Sequence, residues 1–336
     1  MRKTQNHLLG SLCAAMLILV GTGSNLLAQA PLPPPGSTLL LDSDQGQGLT
    51  NVGSFTLTAT YIANLVTFTD RALFMSAQAP TGYVGVLAVN NGIGGGYLVD
   101  YDGHIRAAYT NTPAGVFGAS FVEFGPDGNA YVSYGGPSGT AVVKKYSFFG
   151  ADLGTFTSGY SFANPQQFQF NGAYMYLIDY GNSKVVRYNA ATGVYDASWG
   201  GISGVNGATT LAFMPGSTND VLVAKDSGAE AERYHLTPTG ATDLGIFANF
   251  GAHGANANQF AFGPDGNLYG NDTSAHQSIL VFDGTTGNYI ASYNSTAAGY
   301  SRGRGLAFII PEPATFSLMG LGFLGLFLSR RNRRRS

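Results

Sequence analysis

Outside its first 30 residues the sequence holds four histidines, His104, His235, His253 and His276. Imidazole is the side chain best suited to move protons or hold a metal near neutral pH. No two of the four stand at a spacing that would aim both at one ion from a single helix or strand. A metal or acid–base centre would therefore need the fold to gather them from distant segments. The stretch Asp42-Ser43-Asp44-Gln45-Gly46-Gln47-Gly48 opens like a calcium loop, but Gln45 and Gly46 replace the expected ligands and no acid closes it. Residues 90–100, Asn-Asn-Gly-Ile-Gly-Gly-Gly-Tyr-Leu-Val-Asp, are glycine-rich yet lack the lysine and helix of a phosphate loop; they read as a flexible hairpin loop. Trp199 and the 19 tyrosines can stack on sugar faces, and at repeat positions they equally suit a core. Asp42, Asp179, Asp226 and Asp272 share one place in a longer repeat, at a strand end, where a carboxylate accepts turn hydrogen bonds. No residue is assigned as catalytic, metal-binding or cofactor-binding, and no cofactor is expected.

The elements that must position these residues show in a repeat. Phe121–Ser133, FVEFGPDGNAYVS, returns as FAFGPDGNLYGND at Phe260–Asp272, with weaker copies from Ala72, Phe168, Leu211 and Leu306. Aligning the second apolar anchor gives Phe74, Phe124, Phe170, Phe213, Phe262 and Phe308, spaced 43 to 50 residues apart. Short alternating strands at that period indicate blades of a β-propeller; an open sandwich is the alternative. Within a repeat, Pro126 and Pro264 preset a turn that Gly128 and Gly266 close in the left-handed region. Strands YMYLID and DVLVAKD follow, then KVVRYN and SILVFD, then VYDASW and NYIASY after a Thr-Gly turn. Five repeats run from about Arg71 to Gly305, and the sixth has one strand at its C-terminal end. STLLLDSD at Ser37–Asp44 and GSFTLTATYIANLV at Gly53–Val66 supply the other three. The expectation is an all-β, six-bladed propeller over 37–310, closed by joining both ends in one blade, which removes exposed strand edges. Five or seven blades are the alternatives. These repeats resemble those of NHL-type six-bladed propellers, with Asp179 and Asp272 near that family's usual aspartate, a likeness that implies fold more than function.

Both termini read as addresses. Arg2 and Lys3 precede an apolar run from Leu8 to Val20, and Ala28 and Ala30 give the small residues of a signal-peptidase site, so residues 1–30 read as a secretory signal peptide. Pro31 obstructs cleavage after Ala30 and leaves Ala28 as the other position; a retained anchor is the alternative. A proline-rich linker, 31–36, follows. Cys13 is the only cysteine and lies inside the signal, so the mature chain offers no disulfide, thiolate catalyst or cysteine-bound metal. At the other end Pro311-Glu312-Pro313 precedes an uncharged run, and Arg330, Arg331, Arg333, Arg334 and Arg335 follow it. The run is short for a bilayer, but a single transmembrane helix over about 314–329 with a cytoplasmic arginine tail, 330–335, fits the positive-inside rule. These three parts resemble a PEP-CTERM sorting signal, here 311–336. The resemblance implies an exported protein of a Gram-negative bacterium. It also implies secretion machinery and a membrane-embedded exosortase as partners, with release to the cell surface or an extracellular matrix.

Without the two signals the body keeps ten basic and 18 acidic residues, a net charge of −8. That disfavours nucleic acid and anionic membrane surfaces as partners of the propeller. Two functions remain: a non-catalytic module binding extracellular polysaccharide or surface proteins, or an extracytoplasmic lyase- or lactonase-type enzyme with a metal at the channel mouth. The second requires histidines and carboxylates to converge at one end of the ring.

Overall fold

The computed structural model describes residues 38–42, 50–57, 60–68, 71–76, 80, 82–90, 93–272, 278–294 and 304–308. The segments read as signal peptide (1–30), linker (31–36) and sorting signal (311–336), together with His276 and residues 43–49, lie outside them. The described chain forms 24 strands in six four-stranded antiparallel sheets and no α-helix. Blade 1 is β4 (Arg71–Met75), β5 (Tyr83–Asn90), β6 (Ile93–Asp100) and β7 (Ile105–Tyr109). Blade 2 is β8 (Gly118–Phe124), β9 (Ala130–Gly135), β10 (Val142–Tyr146) and β11 (Asp152–Thr155). Blade 3 is β12 (Pro165–Asn171), β13 (Tyr174–Asp179), β14 (Lys184–Asn189) and β15 (Ile202–Ser203). Blade 4 is β16 (Leu211–Phe213), β17 (Asp220–Lys225), β18 (Glu230–Thr237) and β19 (Gly240–Asn249). Blade 5 is β20 (Ala257–Phe262), β21 (Leu268–Asp272), β22 (Ser278–Phe282) and β23 (Tyr289–Asn294). The closing blade takes β24 (Leu306–Phe308) from one end and β1 (Thr38–Asp42), β2 (Thr50–Thr56) and β3 (Tyr61–Phe68) from the other.

The first strands of the blades neighbour one another in the cyclic order β4, β8, β12, β16, β20, β24 and back to β4, which makes a six-membered ring. All six phenylalanine anchors lie on these inner strands. Ring closure is the pairing of Leu39, Leu40 and Leu41 with Phe308, Ala307 and Leu306. Gln259 stitches the seam. Its Oε1 accepts from the amides of Met75 and Leu306 at 3.2 and 3.0 Å, and its Nε2 donates to the Met75 carbonyl at 2.6 Å.

Strand alternation explains why blades stack. Leu39 and Leu41 pack toward blade 5 while Leu40 packs toward blade 1; Ile279 and Val281 face the closing blade while Leu280 and Phe282 face blade 4. Both faces of the middle strands are thus buried, whereas the outermost strands β11 and β23 are largely exposed, and the middle strands read as near-continuous apolar runs because successive side chains point to opposite faces. Phe74, Phe121 and Phe168 carry the contact across blades 1 to 3, with ring centroids 5.9 Å apart at each step.

Three expectations change. The glycine-rich run is not a loop: Ile93–Asp100 is strand β6, paired with β5 from Asn90↔Ile93 to Tyr83↔Asp100. Its glycines permit close approach, since a Cβ on Gly95 would meet the Tyr109 carbonyl at 2.3 Å and one on Gly96 would meet Val122 of blade 2 at 2.6 Å. VYDASW is not the fourth strand of blade 3. That strand is β15, and Val194 and Tyr195 make only isolated bridges, because the Asp196 carboxylate accepts from the Ser198 amide and folds the chain into a turn that sends Trp199 inward. Asp226 is out of frame with its partners. Lys225, paired with Glu230, takes the place that Asp179 takes against Lys184, and Asp226 follows it with φ at 49°.

Candidate functional site

A cleft with a volume of about 600 Å³ lies between blades 3 and 4. Blade 3 contributes the β12–β13 turn (Asn171, Gly172, Ala173), Tyr174 and Tyr176 on β13, Arg187 on β14, and Asp196 and Ser198 from the turn beyond it. Blade 4 contributes Thr218 and Asn219 before β17 and Leu236 to Pro238 at the end of β18. Direct bonds hold the two walls: Asn171 Nδ2 donates to the Thr218 carbonyl at 2.8 Å, Trp199 Nε1 to the Gly240 carbonyl at 2.8 Å, and Arg187 Nη2 to the Pro238 carbonyl at 3.0 Å.

Arg187 is the centre of this cleft. Its side chain is only 7% exposed, and its Nε and Nη2 both lie 2.8 Å from Asp196 Oδ2. Its guanidinium sits 4.1 Å from the Tyr174 ring centroid and 5.1 Å from that of Trp199. Hydrogen bonds from Ser198 and Arg187 hold the Asp196 carboxyl below the usual carboxylate range against the burial that opposes ionisation. Burial raises the Tyr176 hydroxyl pKa, and Arg187 offsets part of that rise. A buried charge held this way is paired and hydrogen-bonded on several sides. The lining contains one carboxylate, already committed to Arg187, and no histidine, so this cleft offers hydrogen bonds and aromatic surface rather than an acid–base pair.

The fold disperses the described histidines. His104 lies in the β6–β7 turn, His235 on β18, and His253 in the turn before β20. His104 stands beside Asp100 and Asp102, with ligand-type atoms within 4.8 Å of one another. Arg106 Nε, 2.5 Å from Asp100 Oδ2, already neutralises that carboxylate, and Asp100 also accepts from the amides of Asp102 and His104. His235 pairs with Asp220 at 2.9 Å, and His253 stacks on Tyr289 at 3.8 Å between centroids. Glu123 is the one carboxylate on the described inner strands; it is fully buried and accepts from Ser76 Oγ and the Phe124 amide. Asp179 and Asp272 have the expected role: Asp179 accepts from the amides of Ala163 and Asn164, and Asp272 from that of Asn256, which ties each inter-blade loop to its blade. Asp42 ends β1.

Sequence reasoning missed Arg187, Asp196 and the inner-strand glutamines. A polar residue within an otherwise apolar inner strand, as in PQQFQF and ANQFAF, is the signal that points to Gln167, Gln169 and Gln259. Their amide oxygens accept from Leu211, from Phe213, and from Met75 and Leu306 of neighbouring blades. For the cleft there is no such signal, because its walls come from separate segments of two blades, residues 171–198 and 218–238.

Among known proteins, the PEP-CTERM protein-sorting motif matches residues 310–334. That motif implies export and exosortase-mediated, membrane-associated sorting in Gram-negative bacteria. No curated protein matches the sequence. Similar solved structures include a chain of the nidogen/laminin complex, at TM-score 0.59 and 11% identity over 82% of this chain and 100% of that one. TolB from Acinetobacter baumannii is similar at TM-score 0.59 and 11% identity over 83% and 68%. A functionally unknown protein from Desulfotomaculum acetoxidans follows at TM-score 0.57 and 14% over 82% and 100%. At such identities the likeness concerns fold alone. The chain is thus a six-bladed β-propeller, with structural neighbours of the NHL and TolB type, that carries a PEP-CTERM protein-sorting motif at residues 310–334.

Proposed function

We propose that this protein is displayed at the surface or in the extracellular matrix of a Gram-negative bacterium, where its propeller serves as a non-catalytic binding module. The observation that carries this reading is the junction between body and sorting motif. Strand β24, which closes the ring, ends at Phe308, and the motif begins at residue 310. Sorting therefore acts on a finished ring. In this reading residues 1–30 are removed after Ala28 or Ala30, and Pro311-Glu312-Pro313 is the exosortase recognition site. Residues 314–329 hold the chain in the membrane, and Arg330, Arg331, Arg333, Arg334 and Arg335 keep that end cytoplasmic. Among the described residues no helix is long and apolar enough to cross a membrane, and the 314–329 segment lies outside them.

The inner strands β12, β16, β20 and β24 run the same way. Gln167 and Gln169 reach Leu211 and Phe213 in step, Thr209 bonds the Asn258 carbonyl, and Asn258 bonds that of Arg304. Phe308 accordingly lies at the same end of the ring as the β12–β13 turn and the Arg187 cleft. Five residues, 309–313, span at most about 17 Å when extended. Before cleavage that face of the ring stands against the membrane.

Mass spectrometry of the C-terminus of the extracellular protein, from a host with and without an exosortase, tests the proposal. The expected terminus lies near Pro311–Pro313 and depends on the enzyme. An exported protein that retains its arginine tail in both hosts overturns it.

A further inference from the structure

We propose that the cleft between blades 3 and 4 binds a neutral saccharide unit and is the point at which this propeller grips extracellular polysaccharide. The inference rests on the reading of the protein as an exported binding module. The cleft's volume of about 600 Å³ falls within the range of small-ligand pockets, about 300–1,000 Å³. Gly172 and Ala173 leave its rim low, and both are exposed.

The chemistry inside favours a sugar. A pyranose ring presents an apolar C–H face and a girdle of hydroxyls that both donate and accept. The half-buried Tyr174 ring offers apolar surface for that face. The Tyr174 hydroxyl and the Asn219 side-chain amide line the cleft and make no hydrogen bond among the described residues, so each is available to a hydroxyl. Arg187 and Asp196 are fixed by each other, by the Pro238 carbonyl and by the Tyr174 and Trp199 rings, so a ligand need not order them. Their charges cancel, and the body carries a net charge of −8 outside its two signals. An anionic chain such as a polyuronate is therefore disfavoured relative to a neutral one.

Trp199 is the only tryptophan in the chain, and it packs behind Arg187 and edge-on to Tyr176 at 5.5 Å between centroids. Its fluorescence is a reporter for this cleft alone. The full chain, held in a detergent without a sugar headgroup, is titrated with cellohexaose, maltohexaose and mannohexaose, and with an alginate hexamer as the anionic comparison. Calorimetry runs in parallel. At least one neutral hexamer is expected to shift Trp199 emission saturably, with alginate inert. Tyr174→Phe and Asn219→Ala, which each remove one exposed polar group and leave the core intact, are each expected to weaken that binding about tenfold, the loss of one ligand hydrogen bond. The inference is overturned if no neutral hexamer binds, if alginate binds more tightly, or if calorimetry detects binding that leaves Trp199 and both variants unaffected. Cleavage and export without sugar binding overturn this inference alone; sugar binding by a chain that is never cleaved overturns only the sorting.

Discussion

Asp127 and Asp265 hold the same place in the two copies of Gly-Pro-Asp-Gly-Asn, and the structure gives them the same task. Each accepts from the amide and side chain of the asparagine two residues on and from the hydroxyl of the tyrosine two further, so the turn is clamped to its outgoing strand. Asp127 has in addition Lys145 Nζ at 2.7 Å. Burial opposes its ionisation, but the bonds from Lys145, Asn129 and Tyr131 outweigh that and bring its pKa down to about 2 from an ordinary 3.8. A carboxyl whose pKa is lower folded than unfolded stabilises the fold above its unfolded value. That contribution is complete above about pH 4 and is lost as the pH falls toward 2. Asp127→Asn is therefore expected to lower the thermal midpoint at pH 7 and to flatten its decline between pH 4 and pH 2. Asp100, Asp152, Asp196, Asp220 and Asp283 are also held low, so the slope shrinks rather than vanishes. Equal acid slopes for the two proteins across that window would refute the assignment.

At the scale of elements, ring closure rests on β24, a strand of only three residues that pairs with β1. Leu40, paired with Ala307 and fully buried against blade 1, fixes that closure. Leu40→Ala is expected to cost about 2–5 kcal/mol in denaturant unfolding, as large-to-small core changes do. The same truncation at Leu244 on β19, which is 52% exposed, is expected to stay within about 0.5 kcal/mol. Comparable losses at the two sites would mean that the closing pair does not limit stability. This architecture was legible in the sequence because each blade repeats its apolar anchor and its turn chemistry, so that Phe74 through Phe308 mark the six inner strands. The departures have local causes. Gly95 and Gly96 look like loop residues because the sequence does not show that β7 and blade 2 come so close to them. The VYDASW segment has strand composition, yet Asp196 turns it, and the bond from Trp199 to blade 4 forms only once two blades meet. The cleft was invisible for the same reason: alone, Arg187 is an unremarkable strand cation, and its partners Asp196, Pro238 and Trp199 are brought to it by packing.

Across the whole molecule, the proposed function makes a prediction about when the cleft is accessible. Phe308 ends β24 on the face that bears the Arg187 cleft, and in the proposed arrangement the five residues 309–313 tie that face to within about 17 Å of the membrane. Cys13 is the only cysteine in the sequence, so in a Cys13→Ser background single cysteines can report on each face. Thr218→Cys places one at the rim of the cleft, and Ser138→Cys places one in the exposed β9–β10 turn at the opposite end of the ring. In the full chain in membranes, Thr218→Cys is expected to react several-fold more slowly with a bulky polyethylene-glycol maleimide than Ser138→Cys, and after exosortase cleavage the two rates should converge. Equal rates before cleavage would show that the ring stands clear of the membrane and that its orientation does not guard the cleft. Unequal rates that persist in the released protein would place the shielding in the propeller itself. Slow labelling that ends with cleavage would make sorting the step that exposes the binding face, so that the protein meets its polysaccharide only once it has left the membrane.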